Sequence, residues 1–299
     1  MTPSRANVRS QSLADLADGF ANIERIGASA AGKNGMLINF ELKPLREIIP
    51  WGKPDNLGLH WFGLTDGQYW MHAGCSTLLE YSEHARRAGT DRYCSYQIAK
   101  ILEDTTEMLP SILDPVPKDL VKYISAGSGR AWRQTSDTWL ERNSEADDDG
   151  QVWELLYRAQ LLLTGRVLDS SYLSPSASIL MWSDETDVHI EWDNEDKLIE
   201  GELAWSAARG SFRLPRTTFV EEVRGFHARF FEQMTSRIEQ VAAGALHPDI
   251  HVDLPGLIAE NNQRRHEASQ ALEKRAQTCW DEIRAAILEI SADPPSGTT

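Results

Sequence analysis

Four residues of the stretch DVHIEWD are spaced to do chemistry together: Asp187, His189, Glu191 and Asp193. Residues two apart on a β-strand share a face, so an imidazole and three carboxylates line one side while Val188, Ile190 and Trp192 fill the other. Nitrogen and oxygen donors of this kind suit zinc, manganese or iron. A row of carboxylates equally suits the guanidinium and ammonium groups of a basic partner, through charge-assisted hydrogen bonds. The third reading is a solvated face of an amphipathic sheet. Successive side chains on one face of a flat strand stand roughly 7 Å apart, from a rise of about 3.3 Å per residue, so a metal site needs ligands from another element. No H-E-x-x-H or G-x-S-x-G spacing supplies such a constellation. No catalytic residue is therefore assigned, and no metal or cofactor is expected.

The surrounding charge favours the partner reading. Nine acids lie between Asp184 and Glu202 against Lys197 alone, a local charge of −8 within a chain of 299 residues whose formal charge is −15. A field of that sign repels phosphate backbones and anionic bilayers, so neither nucleic acid nor a membrane surface is expected as a partner. The three cysteines, Cys75, Cys94 and Cys279, are odd in number and form no C-x-x-C, which fits a reducing cytoplasm. No apolar run of about 18 residues and no signal-peptide core is present. The leading expectation is a cytoplasmic interaction protein, of the immunity-inhibitor type, that masks a basic protein with Asp184, Asp187, His189, Glu191 and Asp193. Trp182 and Trp205 are expected to stand exposed beside them. The alternative is a metal-dependent hydrolase using His189 and Glu191. Oligomeric state is left open.

A second cluster lies in LHWFGLTDGQYWMH, residues 59–72. Asp66-Gly67 between aromatic-rich runs predicts a hairpin with a type I′ turn, in which Thr65 faces Gln68 and Gly63 faces Trp70. Alternation then places Trp61, Gly63, Trp70 and His72 on one face, and His60, Phe62, Leu64, Tyr69 and Met71 on the core side. Trp61 and Trp70 are either a recognition platform for a partner or small molecule, or packing residues beneath a layer of helices. His60 and His72 project from opposite faces and do not share a metal ion.

The elements that must position these residues follow from periodicity. Leu13, Leu16, Phe20, Ile23 and Ile26 predict a short amphipathic helix after Ser12, followed by the linker GASAAGKNG. Gly27 to Lys33 satisfies G-x-x-x-x-G-K, but Asn34 replaces the magnesium-binding hydroxyl and the order runs helix to strand, so no nucleotide site is assigned. MLINFEL reads as a strand, DRYCSYQIAKILEDTTEML as a helix ending at Pro110, and PVPKDLVKYIS and GRAWRQTSDTWLER as short helices. Asp147 to Asp149 reads as a solvated loop tip. VWELLYRAQLLLTG is a helix closed by Gly165, and ILMWSDETDVHIEWD is strand, turn, strand. The stripe Phe219, Val223, Phe226, Phe230, Met234, Ile238 and Val241 predicts a long core-facing helix ending near Gly244, with His227 and His247 as ordinary surface histidines. Two closing helices and a disordered tail complete the chain. The fold class is α+β, with antiparallel strands and hairpins packed against several helices and a helical C-terminal third. The domain reading is an extension at 1–35, one α+β domain at 36–290 with a subdomain break near 143–150, and a tail at 291–299.

Four stretches, INFELKPLREIIPWG, LHWFGLTDGQYW, ILMWSDETDVHIEWD and FVEEVRGFHARFFEQM, resemble an uncharacterised bacterial, actinobacterial-type family known as a domain of unknown function. The resemblance covers Met36 to Ile290, and the LHWFGLTDG phrase is its most specific part. It implies a bacterial cytoplasmic protein with an α+β fold and transfers no catalytic residue.

Overall fold

The computed structural model describes residues 36–292 apart from 126 and 147–149. The helix expected after Ser12, the G-x-x-x-x-G-K loop, the acidic run 147–149 and residues 293–299 lie outside the described residues.

Strand β1 (Ile38–Leu42) forms where the alternation in INFEL predicts it. A 3-10 turn leads on to the short hairpin of β2 (Trp51–Lys53) and β3 (Asn56–Gly58). Strand β4 (Asp66–Ala73) is the centre of the first sheet. Its one edge takes β1, from Ile38 opposite Met71 to Leu42 opposite Gly67. Its other edge takes β5 (Ser76–Leu78) and, after helix α1 (Glu83–Arg87), β6 (Cys94–Gln97).

The hairpin expected at Asp66-Gly67 does not form. Residues Gly63–Thr65 make a 3-10 turn, and Asp66 and Gly67 are the first two residues of β4. Gln68 therefore faces Glu41 and Ser95 rather than Thr65, and Trp70 faces Asn39 rather than Gly63. The glycine is needed for a different reason. A Cβ on Gly67 would stand 2.3 Å from the Glu41 carbonyl oxygen, so it permits close approach of β1. Asp66 is held by Lys43 at 2.9 Å, and the Thr65 hydroxyl accepts from the Ala99 amide and donates to the Phe62 carbonyl. Long-range strand pairing has overridden a local turn preference. The face assignment along β4 holds: Tyr69 and Met71 are buried, while Trp70 and His72 lie on the other side.

Helix α2 (Ile98–Ile112) starts later than its periodicity suggests, because Cys94–Gln97 joins the sheet, and it runs through Pro110 instead of ending there. The short α3 (Val121–Ile124) precedes α4 (Ser128–Asn143) and α5 (Gln151–Gln160). Gly165, with φ of 67°, turns the chain after α5. The second sheet consists of β7 (Ile179–Ser183), β8 (Asp187–Asp193) and, after the small hairpin β9 (Leu198–Ile199) and β10 (Glu202–Leu203), β11 (Arg209–Pro215), with β8 in the middle. Helix α6 (Arg216–Ala242) follows directly, and Phe219, Val223, Phe226, Phe230, Met234 and Ile238 are buried as its period predicts. Strand β12 (Ile250–His251) joins β3 in parallel, and α7 (Leu254–Ala271) and α8 (Trp280–Ala292) close the fold. Ser291 and Ala292 thus belong to a helix and not to the expected tail.

Two apolar clusters meet at β7. Ile179 and Met181 enter the main core with both sheets and α6, whereas Leu180 and Trp182 enter a second cluster with Trp139, Leu156 and Ile287 from α4, α5 and α8. Alternation sends successive residues to opposite faces. All five residues of β7 are buried, so this sheet is a middle layer with apolar packing on both sides.

Candidate functional site

The tight turn between β7 and β8 is built by one carboxylate. Asp184 Oδ1 accepts from the backbone N–H groups of Thr186 and Asp187, each at 2.8 Å, and from the Thr186 hydroxyl at 3.1 Å. Its Oδ2 lies 2.8 Å from His189 Nε2. Partial burial acts against ionisation here, but the hydrogen bonds from Asp187, His189 and Thr186 outweigh it and hold this carboxyl well below the usual range. Asp184 is therefore a turn-forming anion tied to His189.

His189 in turn stacks on Trp182, with centroids 4.1 Å apart and planes 8° from parallel. The Trp182 indole N–H donates to Glu191 Oε1 at 2.8 Å, and the Ser125 hydroxyl donates to Glu191 Oε2 at 3.2 Å. Glu191 is only 7% exposed. The polar face of β8 is thus roofed at Glu191 by the segment after α3, while Asp187, His189 and Asp193 on the same face stay partly exposed.

Beyond Glu191 the stripe opens into a cleft of about 500 Å³ lined by Arg130, Arg133, Glu191, Trp192, Asp193 and Arg209. Asp193 pairs with Arg130 and, at 3.4 Å, with Arg209, which also reaches Glu195. Burial lowers the pKa of the Arg133 guanidinium, as does neighbouring Arg130, while Glu191 opposes the shift. Of the carboxylates expected to receive a partner's cations, Asp193 already pairs with the chain's own Arg130 and Arg209, and Glu191 lies near Arg133. Trp192 lies across Gly210, where a Cβ would come within 2.4 Å of the ring, and its buried indole N–H has no partner among the described residues.

The tryptophans correct the sequence reading. Trp182 and Trp205, expected to be exposed, are 3% and 2% exposed. Trp61 is fully buried: its N–H donates to Asn261 at 3.2 Å, Phe230 meets its ring edge-on and the Arg264 guanidinium lies over it at 4.4 Å. Helices α6 and α7 cover it, so it cannot pair with Trp70 as a platform. Trp70 is half-buried, stacked on Tyr93 at 4.0 Å, with its N–H 3.3 Å from His72 Nε2. The structure brings Asp184, His189 and Glu191 together through Trp182, and it separates Trp61 from Trp70.

Two groups escaped the sequence reading. Lys100 bonds Asp104 at 2.6 Å and Asp169 at 3.0 Å, beneath Tyr172, whose hydroxyl meets that of Tyr69. Burial pushes the Asp104 carboxyl up to about 6 against the pull of Lys100, and the Cys94 thiol up to about 12. Asp104 lies on the helix stripe of Ile101, Thr105 and Met108, a placement that marks a buried acid. His227, expected on the surface, is buried, and it sits at i+4 from Val223 and i−4 from Phe231, a second apolar row of α6. Among the described residues no group of three or more His, Cys, Asp or Glu is arranged to hold a metal ion.

Fold and site together define an α+β protein whose second sheet carries a polar seam under a helical layer. The model of the family of unknown function DUF5984 matches residues 37–286, and the chain belongs to that family. No curated protein matches the chain, and no solved structure does. Among the described residues no helix is long and apolar enough to cross a membrane.

Proposed function

We propose that this protein acts by binding a basic protein partner, and that the contact surface is the β9–β10 hairpin. One observation carries the reading: Leu198 and Leu203, directly opposite each other across the hairpin, are 49% and 39% exposed, with Glu195, Asp196, Glu200 and Glu202 exposed around them. An apolar pair inside an acidic rim matches a cationic amphipathic segment, with the rim speeding encounter and the leucines supplying desolvated contact.

The hairpin is held in place by its turn and by neighbouring residues. Glu200 and Gly201 have φ of 53° and 85°, the positive pair that a tight two-residue turn requires. The Ser82 hydroxyl donates to the Leu203 carbonyl at 2.6 Å, the Ser82 amide to the Ala204 carbonyl at 2.8 Å, and Trp205 stacks on Tyr81 at 4.4 Å. Buried Glu191 and half-buried Asp184 and His189 support the sheet behind it. Asp187, half-buried and outside any ion pair among the described residues, adds to the negative field. The role that fits is a cytoplasmic mask or immunity-type inhibitor that covers a basic surface.

The test is parallel capture with the intact protein and its Glu195→Gln/Glu200→Gln/Glu202→Gln variant, followed by affinity measurement on the purified basic protein at several salt concentrations. The reading expects loss of binding in the variant and a shallower salt dependence. Equal affinity and equal salt dependence would overturn it.

A further inference from the structure

Helices α6 and α7 run past each other in opposite senses, with Asn261 against Thr235 and Arg265 against Phe231. Between them lies an open groove of about 720 Å³, within the range of small-molecule sites. His227 lines it and is only 5% exposed, yet neither ring nitrogen has a hydrogen-bond partner among the described residues. Buried polar side chains are almost always satisfied, and an orphan calls for a ligand or ordered water. One turn earlier on the same face, Arg224 is exposed and enters no ion pair or hydrogen bond with a described residue.

The surroundings define the chemistry. Phe231, Ala268 and Leu272 line the same groove as Arg224 and His227 and supply an apolar wall. Burial pushes the His227 imidazole down to about 4, so near neutral pH it is uncharged and offers one N–H donor. Beside a guanidinium fork, that donor suits an anion with two oxygen acceptors. The acids Glu232 and Glu239 lie further along α6, about 12 and 22 Å from Arg224 at a rise of about 1.5 Å per residue. They disfavour an anion there, and Arg265, the other guanidinium of the groove, is engaged by the Phe231 carbonyl and the Thr235 hydroxyl, which leaves the Arg224 end for the charged head.

We propose that this groove binds a small amphipathic carboxylic acid, its carboxylate held by Arg224 and His227 and its apolar body laid along Phe231, Ala268 and Leu272. The site is independent of the β9–β10 hairpin.

The experiment titrates the full chain, with labelled histidine side chains, with decanoate, 4-phenylbutyrate and the neutral alcohol decanol, and follows the His227 resonances by NMR alongside calorimetry. Saturable shifts of His227 with at least one carboxylate, binding of decanol at least about tenfold weaker than decanoate, and an affinity loss of about tenfold or more in Arg224→Gln are expected, a tenfold change being about 1.4 kcal/mol. Arg224 is exposed, so that variant reports even where His227→Phe fails to fold. Ala228→Phe, which narrows the groove without changing its charge, should abolish binding. Unmoved His227 resonances with both carboxylates, equal binding of decanol and decanoate, or full affinity in Arg224→Gln would overturn the proposal.

Discussion

His227 and Asp104 tilt the pH dependence of stability in opposite directions. The His227 pKa falls from 6.5 to about 4 on folding, so its contribution is present above pH 6.5 and is lost as pH drops through 4, since the unfolded chain takes the proton first. That loss amounts to about 3 kcal/mol at most, at about 1.4 kcal/mol per pH unit. The Asp104 pKa rises from 3.8 to about 6, so its contribution is present below pH 3.8 and is lost as pH rises through 6. Urea titrations across this interval should show a flatter acid limb for His227→Leu and a steeper one for Asp104→Asn. Parallel limbs in all three proteins would refute both assignments. Gly210→Ala should cost about 1 to 3 kcal/mol and shift tryptophan emission, because the added methyl meets the Trp192 ring. At this scale the sequence disclosed the alternation of β8 but not the partners of its polar residues. His189 and Glu191 are joined through Trp182, nine or fewer positions away, yet the roof over them comes from Ser125, 66 residues earlier. Local pattern says which way a side chain points and nothing about what will cover it.

Strand β7 shows the same limit for elements. Its existence was legible in ILMWS, but burial on both faces depends on α4, α5 and α8 arriving on the outer side. Leu180→Ala should therefore cost about 2 to 5 kcal/mol, the range of a core deletion rather than of a surface change. Trp182→Phe should cost about 1 to 3 kcal/mol, by leaving buried Glu191 without its indole donor. Chemical denaturation measures both, and near-neutral values would show that the helical layer does not seal this face. The Asp66-Gly67 pair carries a local turn signal, whereas the strands that take up the two residues are distant in sequence and have no turn signature: β6 sets Gln97 opposite Asp66, and β1 sets Leu42 opposite Gly67. The main stripe of α6 is legible because it is long and its ends are marked, whereas the second buried row that holds His227 is not.

For the whole molecule, the two apolar clusters share one strand, so neither can melt while the other keeps its sheet. Thermal unfolding followed by far-ultraviolet circular dichroism and by tryptophan fluorescence should give one coincident transition, with Trp139 and Trp182 reporting on the helical cluster and Trp192 and Trp205 on the main core. Two separated midpoints would place a domain boundary in the segment after α4. The β9–β10 hairpin also bears on the colloidal behaviour of the protein. Its outward leucines are adhesive, and mutual repulsion between copies bearing a formal charge of −15 keeps them from meeting at neutral pH. Near pH 5.0, where the chain is isoelectric, that repulsion vanishes, and light scattering should find clusters there that Leu198→Ser/Leu203→Ser does not form.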